Sequence, residues 1–369
     1  MNSISVTLVL LCATLPVALS LIEGLVYNGN FEHGPKSWQL SGSHILDPHA
    51  LPNWVISGFV EYIKSGQKQG DMVLPVPRGN SALRLGNNAS IRTTIQVTKG
   101  LFYSLTFGVS RTCAQDEKLN LSVIPNSEAN DSAMLPMQTM YSTDGWDTFS
   151  WGFLAEASKV DIVFHHPQTD KYNPGCGPII DLVALKAFPP HTRRQGIVKN
   201  GNFEEGPYVI PNTTWGVLIP SNIEDDHCPL VGWVVESLKA VRYIDSDHFA
   251  VPEGKRAVEL VAGRESVIAQ TLRSIPNTVY NLEFFVGDAK NLCEGSMLVE
   301  VFAGNSTFRV PYESKGKGGS KLVRLQFKAV SSRSKIRFLS SYYHMKSDFS
   351  GSLCGPVVDG VRIRVAPRA

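Results

Sequence analysis

Asn28-Gly29-Asn30-Phe31-Glu32-His33-Gly34-Pro35 returns as Asn200-Gly201-Asn202-Phe203-Glu204-Glu205-Gly206-Pro207, identical at seven of eight positions. Other landmarks keep the same order. Trp54 answers Trp233, and Val76-Pro77-Arg78-Gly79 answers Val251-Pro252-Glu253-Gly254. Cys113 answers Cys293, and Cys176-Gly177-Pro178-Ile179-Ile180-Asp181 answers Cys354-Gly355-Pro356-Val357-Val358-Asp359. A solenoid unit runs to about 20–50 residues, so a repeat this long is a duplicated domain. The length of 369 residues agrees, being too great for one hydrophobic core. The first domain is expected over 21–187 and the second over 196–369. Between them, Phe188 to Gln195 is Pro-rich, basic and without apolar periodicity, and reads as a linker where two separate sandwiches meet.

Each copy reads as β. Tyr103, Leu105, Phe107 and Val109 alternate with small or polar residues, as do Tyr280, Leu282, Phe284 and Val286. Leu119, Leu121 and Val123 repeat the pattern, and Val160, Ile162 and Phe164 match Ile336 and Phe338. Period two with one apolar face means a half-buried strand. Many short strands punctuated by Gly and Pro, with no long amphipathic helix, predict an all-β fold of two tandem sandwiches or jelly rolls. Duplicated cysteines should make duplicated bonds, Cys113–Cys176 and Cys293–Cys354. Each would close a loop of about 60 residues, worth roughly 3–4 kcal/mol in the chain-entropy account. Cys228 has no counterpart and is left over, either buried as a small hydrophobe or a route to dimers, the first being favoured.

The first residues point to export. Ile4 to Leu19 form an apolar run, and Ala18-Leu19-Ser20 offers small residues for cleavage, so 1–20 reads as a signal peptide. The C-terminus is neither a lipid-anchor tail nor a retention signal. Sequons stand at Asn88, Asn120, Asn130, Asn212 and Asn305. A secreted glycoprotein is the expectation. Net charge is +2 with 18% charged residues, which gives no case for nucleic acid.

The doubled Asn-Gly-Asn-Phe-Glu-x-Gly-Pro and the two Cys-Gly-Pro-(Ile/Val)-(Ile/Val)-Asp endings carry a family resemblance. Asp226-His227-Cys228-Pro229-Leu230-Val231-Gly232-Trp233 adds to it. The chain resembles the plant-specific cell-wall family of unknown-function proteins numbered six-four-two, also called BIIDXI-like, over nearly its whole mature length. That resemblance implies two galactose-binding-like jelly-roll domains and residence in the cell wall. It also implies association with wall polysaccharides (cellulose, hemicellulose or pectin) and with wall-modifying enzymes such as pectin methylesterase. Ser is more usual in the family where this chain has Cys228.

Catalytic signatures are missing: the sequence holds no Gly-x-Ser-x-Gly, His-Glu-x-x-His, Cys-x-x-Cys or phosphate-binding Gly-rich loop. His165 and His166 offer either metal ligands or surface histidines. Asp181 stands at i, i+2 and i+4 with Val183 and Leu185, and Asp359 likewise with Val361 and Ile363, which places both carboxylates on an apolar face. Glu32 and Glu204 would approach them if first and last strands are neighbours. Each pair then has three readings: a structural calcium ion, with no cofactor otherwise required, hydrogen bonding to backbone amides, or a glycosidase acid–base pair. Trp54 and Trp233 recur in apolar surroundings and read as core. Trp146, Trp151, Tyr342 and Tyr343 lie in polar contexts and are the candidates for stacking on a sugar ring. The expected function is that of a secreted, non-catalytic wall protein that binds polysaccharide or modulates a wall enzyme. The alternatives are a glycan hydrolase or esterase of the wall and a structural or signalling partner with no sugar site.

Overall fold

Alternating apolar residues build two layers in each repeat. The computed structural model describes residues 23–113, 117–124, 132–136, 141–142, 145–167, 173–188, 196–221 and 228–367. The expected signal peptide, the sequon at Asn130 and the linker after Phe188 lie outside the described residues. Phe188 itself ends the strand Ile179–Phe188 and is buried.

In the first repeat successive strands cross from sheet to sheet. Ser81–Leu85, Phe102–Ser110, Asp147–Leu154 and Ile179–Phe188 lie in a front sheet; Ser90–Gln96, Lys118–Ile124 and Lys159–His165 lie between them in sequence but in a back sheet. That alternation is a jelly-roll path. Tyr103, Leu105, Phe107 and Val109 face Leu119, Leu121, Ile162 and Phe164 across the core. The second repeat packs Tyr280, Leu282, Phe284 and Val286 on Val299, Val301, Ile336 and Phe338 in its own core. Each such side chain, fully buried, contributes about 1.5–3 kcal/mol. Trp54 and Trp233 are core residues, packed on Phe31 and Phe203 of the octapeptides. The helical elements among the described residues are two 3-10 turns, and no described helix is long and apolar enough to cross a membrane. Both expected disulfides are present, with Cα–Cα distances of 5.9 and 5.8 Å, and Cys228 is buried and outside both bonds.

Two expectations are corrected. The two tandem sandwiches are as expected, each with its own core and back sheet, but they are joined edge to edge, so that their front sheets form one 14-stranded sheet. The join is local and avoids the linker. The short strand Val217–Ile219 leads the second front sheet and pairs in parallel with the free edge of Asp147–Leu154, through Phe149 and Leu218. Val217 and Ile219 point into the second core while Leu218, one residue out of phase, joins the first. An edge strand is a template for pairing, and this one is capped by its own chain.

The second correction concerns Asp181 and Asp359. A bulge interrupts each last strand. Thr106 stands opposite Ala184 and Gly108 opposite Asp181, so Leu182 and Val183 share one partner position. Glu283 opposite Arg362 and Phe285 opposite Asp359 repeat this. Leu182 and Gly360 take up the extra residue at φ of 54° and 58°. Ile180 and Val183 therefore both reach the main core, as do Val358 and Val361. The two Asp side chains turn to the opposite, outward face of the front sheet, since a bulge shifts the side-chain phase by one.

Candidate functional site

The octapeptide is a turn lock. Asn28 and Asn200 adopt positive φ and bracket the turn: the side-chain amide donates to the carbonyl of His33 or Glu205, and its oxygen accepts the N–H of the same residue. A Cβ on Gly29 or Gly201 would overlap the carbonyl of Val183 or Val361, so only glycine lets the first turn sit on the bulge. Tyr62 and Tyr243 close the unit by donating to the Phe31 and Phe203 carbonyls, both at 2.8 Å. Glu32 Oε1 accepts the N–H groups of Asn80 and Ser81 at 2.7 and 3.0 Å, and Glu204 Oε1 those of Lys255 and Arg256 at 2.7 and 3.2 Å. Gly79 and Gly254, at φ of 80° and 69°, leave room for those carboxylates.

Each Glu is also an electrostatic neighbour of its Asp. Burial holds the Asp181 carboxyl well above the usual range, the Leu182 N–H opposes this, and the Glu32 charge adds to it. Burial raises Asp359 to about 7, against the N–H groups of Glu253 and Gly360 and with the charges of Glu253 and Glu204. These donors do not fit calcium, which takes six to eight oxygen ligands. Asp359 accepts two backbone N–H groups and Glu204 two more, and N–H dipoles aimed at an oxygen repel a cation there. Arg362 already supplies a positive charge to Glu253. Among the described residues, the one group of three metal-capable side chains is Cys113, Glu117 and Cys176, whose sulfurs form a disulfide. Amide hydrogen bonding accounts for Glu32, Glu204 and Asp359, while Asp181 accepts the Leu182 N–H on one oxygen and keeps the other buried without a hydrogen bond. Asp181 and Asp359 are both 0% exposed, out of reach of a glycosidic bond. His165 and His166 face the carbonyls of Ala89 and Gly86, and His166 is buried rather than on the surface.

Of the four aromatics singled out for sugar contact, two are corrected. Trp151 pairs with Leu105 on the core side of the front sheet. Trp146 is 1% exposed and packs with Ile63, Leu74, Ala82 and Ile179, its ring seated where a side chain on Gly108 would be. Neither offers a face to solvent. Turn-like flanks hid this, because they say nothing of what folds over the turn.

Tyr342 and Tyr343 are exposed, at 55% and 46%. They follow the back-sheet strand Arg333–Ser340 and precede a small hairpin, His344–Met345 against Leu353–Cys354, tied down by the Cys293–Cys354 bond. Lys239 steadies Tyr343: its Nζ donates to the phenol at 3.3 Å, lies 5.2 Å from the ring centroid and is held by Glu265 at 3.1 Å. Gly263, at positive φ, lets both tyrosines lie against its turn. The hairpin adds Met345 and, at its tip, Phe349, which is 99% exposed at a φ of 61°. Leu238 beside Lys239 is 79% exposed. Sequence reasoning missed these three. A length difference was the available signal: 16 positions separate Phe338 from Cys354, against 12 from Phe164 to Cys176. Asn88, Asn212 and Asn305 are exposed, and Asn120 is half-buried on its strand.

The family model described as "Protein of unknown function (DUF642)" matches residues 24–186 and again 196–364. The chain belongs to the DUF642 family. Within that family it is similar to two proteins of Arabidopsis thaliana, L-GALACTONO-1,4-LACTONE-RESPONSIVE GENE 1 and GENE 2. Identity is 58% over 92% of this chain and 91% of the first, and 55% over 94% of this chain and 92% of the second. Among solved structures it is similar to the CBM22-1-CBM22-2 tandem domain from Paenibacillus barcinonensis Xyn10C, 10% identical, covering 85% of this chain and 94% of that one with a TM-score of 0.29. That overlay is too loose to inform the site. For this DUF642 chain the exposed aromatic end of the second repeat is the candidate site.

Proposed function

We propose that this protein is a secreted, N-glycosylated, non-catalytic component of the plant cell wall that binds wall polysaccharide through the aromatic end of its second repeat. The observation that carries this is Tyr343, exposed yet held by Lys239, with exposed Tyr342 before it and exposed Met345 and Phe349 on the hairpin that follows. A pyranose ring presents C–H groups on its faces, and a rigid aromatic surface takes them up at low entropic cost. The Tyr343 phenol and the charges of Lys239 and Glu265 suit the sugar's rim. Burial of Asp181 and Asp359 supports a binding rather than a hydrolytic role. Bound to its polymer, the protein stands beside wall-modifying enzymes such as pectin methylesterase, whose access to the surrounding wall it would modulate.

A glycan array probed with the disulfide-intact protein tests this. Binding to neutral β-linked wall glycans, lost in Tyr342→Ala/Tyr343→Ala, is the expected result. Binding that survives the double substitution would move the site elsewhere.

A further inference from the structure

The outward faces of the two front sheets differ at matched positions. In the first repeat the central strand turns Ser104, Thr106 and Gly108 outward, flanked by Ala184 and Ser150; all are small and buried. A segment of the second repeat lies over them. Thr106 Oγ1 donates to the Tyr208 carbonyl at 3.1 Å, Arg78 donates to the Pro211 carbonyl at 2.6 Å, and Trp215 packs into the Trp146 cluster. In the second repeat the matched residues are Asn281, Glu283 and Phe285. Arg362 and Arg364 stand on one side, and Leu322, Arg324, Gln326 and Lys328 on the other. No described segment covers this outer part of the face: Arg364, Leu322, Arg324, Gln326 and Lys328 are exposed.

We propose that this open face of the second repeat binds an acidic polysaccharide, a run of uronate sugars laid across the strands. The matched face of the first repeat is wide enough to seat a stretch of chain, which there is held by Thr106 and Arg78. Its charge favours a polyanion: Arg324, Lys328, Arg362 and Arg364 stand against Glu253 and Glu283. Each Glu holds one Arg, Glu283 with Arg324 at 3.0 Å and Glu253 with Arg362. Arg364 and Lys328 have no carboxylate partner among the described residues. A guanidinium fork takes a carboxylate in two hydrogen bonds. Asn281 and Gln326, joined at 2.9 Å, keep amide donors and acceptors for hydroxyls. Phe285 and Leu322, paired across the strands, give a floor for a ring face. A membrane would need a larger apolar anchor, and a nucleic acid a denser basic stripe.

This site is separate from the tyrosine end, and its binding is driven by charge, so it weakens with salt. The test uses sodium polygalacturonate and the same polymer fully methyl-esterified, with the full disulfide-intact chain. The wild type should bind the charged polymer at low salt, lose it on raising salt, and bind the esterified form far less. Arg364→Gln/Lys328→Gln should weaken binding to the charged polymer about fivefold, given the modest worth of exposed charge pairs. Arg364→Glu should weaken it further, and Tyr343→Ala should leave it unchanged. Equal binding of both polymers, unaltered affinity in both face variants, or equally tight binding to RNA or phosphatidylserine vesicles would overturn the proposal. Loss of neutral-glycan binding in Tyr343→Ala would still stand independently.

Discussion

Glu204 satisfies the backbone N–H groups of Lys255 and Arg256 from a residue 51 positions earlier, and in doing so pins the octapeptide to the following loop. Glu204→Ala should destabilise the second repeat by about 1–2 kcal/mol, the cost of donors left unpaired; denaturant midpoints of wild type and variant measure it. Chelator should leave both midpoints where they were, since Glu204 and Asp359 already spend their oxygens on backbone N–H groups. The buried acids also set a pH dependence. Burial raises Asp147 to about 6, opposed by the Tyr141 N–H and Arg242, and raises Glu117 to about 7, opposed by the N–H groups of Cys113 and Thr112 and by Arg84. Asp359 is also near 7. Their ordinary values are 3.8, 4.5 and 3.8. Between these limits the folded chain keeps protons that the unfolded chain has released, so stability falls as pH rises through that window. Melting temperature should be higher at pH 5 than at pH 8, and a rising profile would contradict the burial of these groups.

The bulge in the last strand is the element that the sequence concealed. Strict alternation through Asp181, Val183 and Leu185 places the Asp inward, and only the extra residue at 182 reverses it. The strand itself was legible, as were the central strands and both disulfides, because apolar periodicity and duplicated cysteines are local or paired signals. The burial of Trp146 and the seam at Phe149 and Leu218 were not, because both depend on which edge and which face the second repeat covers. The exposed tyrosines were legible as a polar-aromatic cluster, but the hairpin beside them needed the fold. The bulge makes a specific demand on Gly360, where a Cβ would meet Glu253 and Phe285. Gly360→Ala should cost about 1–2 kcal/mol from the left-handed backbone alone, seen as earlier unfolding of the second repeat in hydrogen exchange.

At the scale of the molecule, duplication has been made asymmetric. Matched strands carry a charge-swapped ion pair, Glu61 with Arg84 in the first repeat, where only the Arg is buried, and Arg242 with Glu259, both buried, in the second, at 3.2 and 2.9 Å. The second pair also serves the seam, since Arg242 donates to the Tyr141 carbonyl at 2.7 Å. Arg242→Ala leaves Glu259 buried beside fewer donors, and should cost about 3–5 kcal/mol and loosen both repeats together. Sealing the first outward face leaves the second repeat with the exposed surfaces proposed to bind glycan, the aromatic end first among them. Isothermal titration of soluble neutral wall polysaccharides, such as xyloglucan and galactan, into wild type and Tyr342→Ala/Tyr343→Ala tests this most directly, with released reducing ends assayed in the same samples. A non-catalytic aromatic site gives saturable binding by the wild type, its loss in a variant of unchanged melting temperature, and no new reducing ends; undiminished binding by the variant, or release of reducing ends by the wild type, would contradict it.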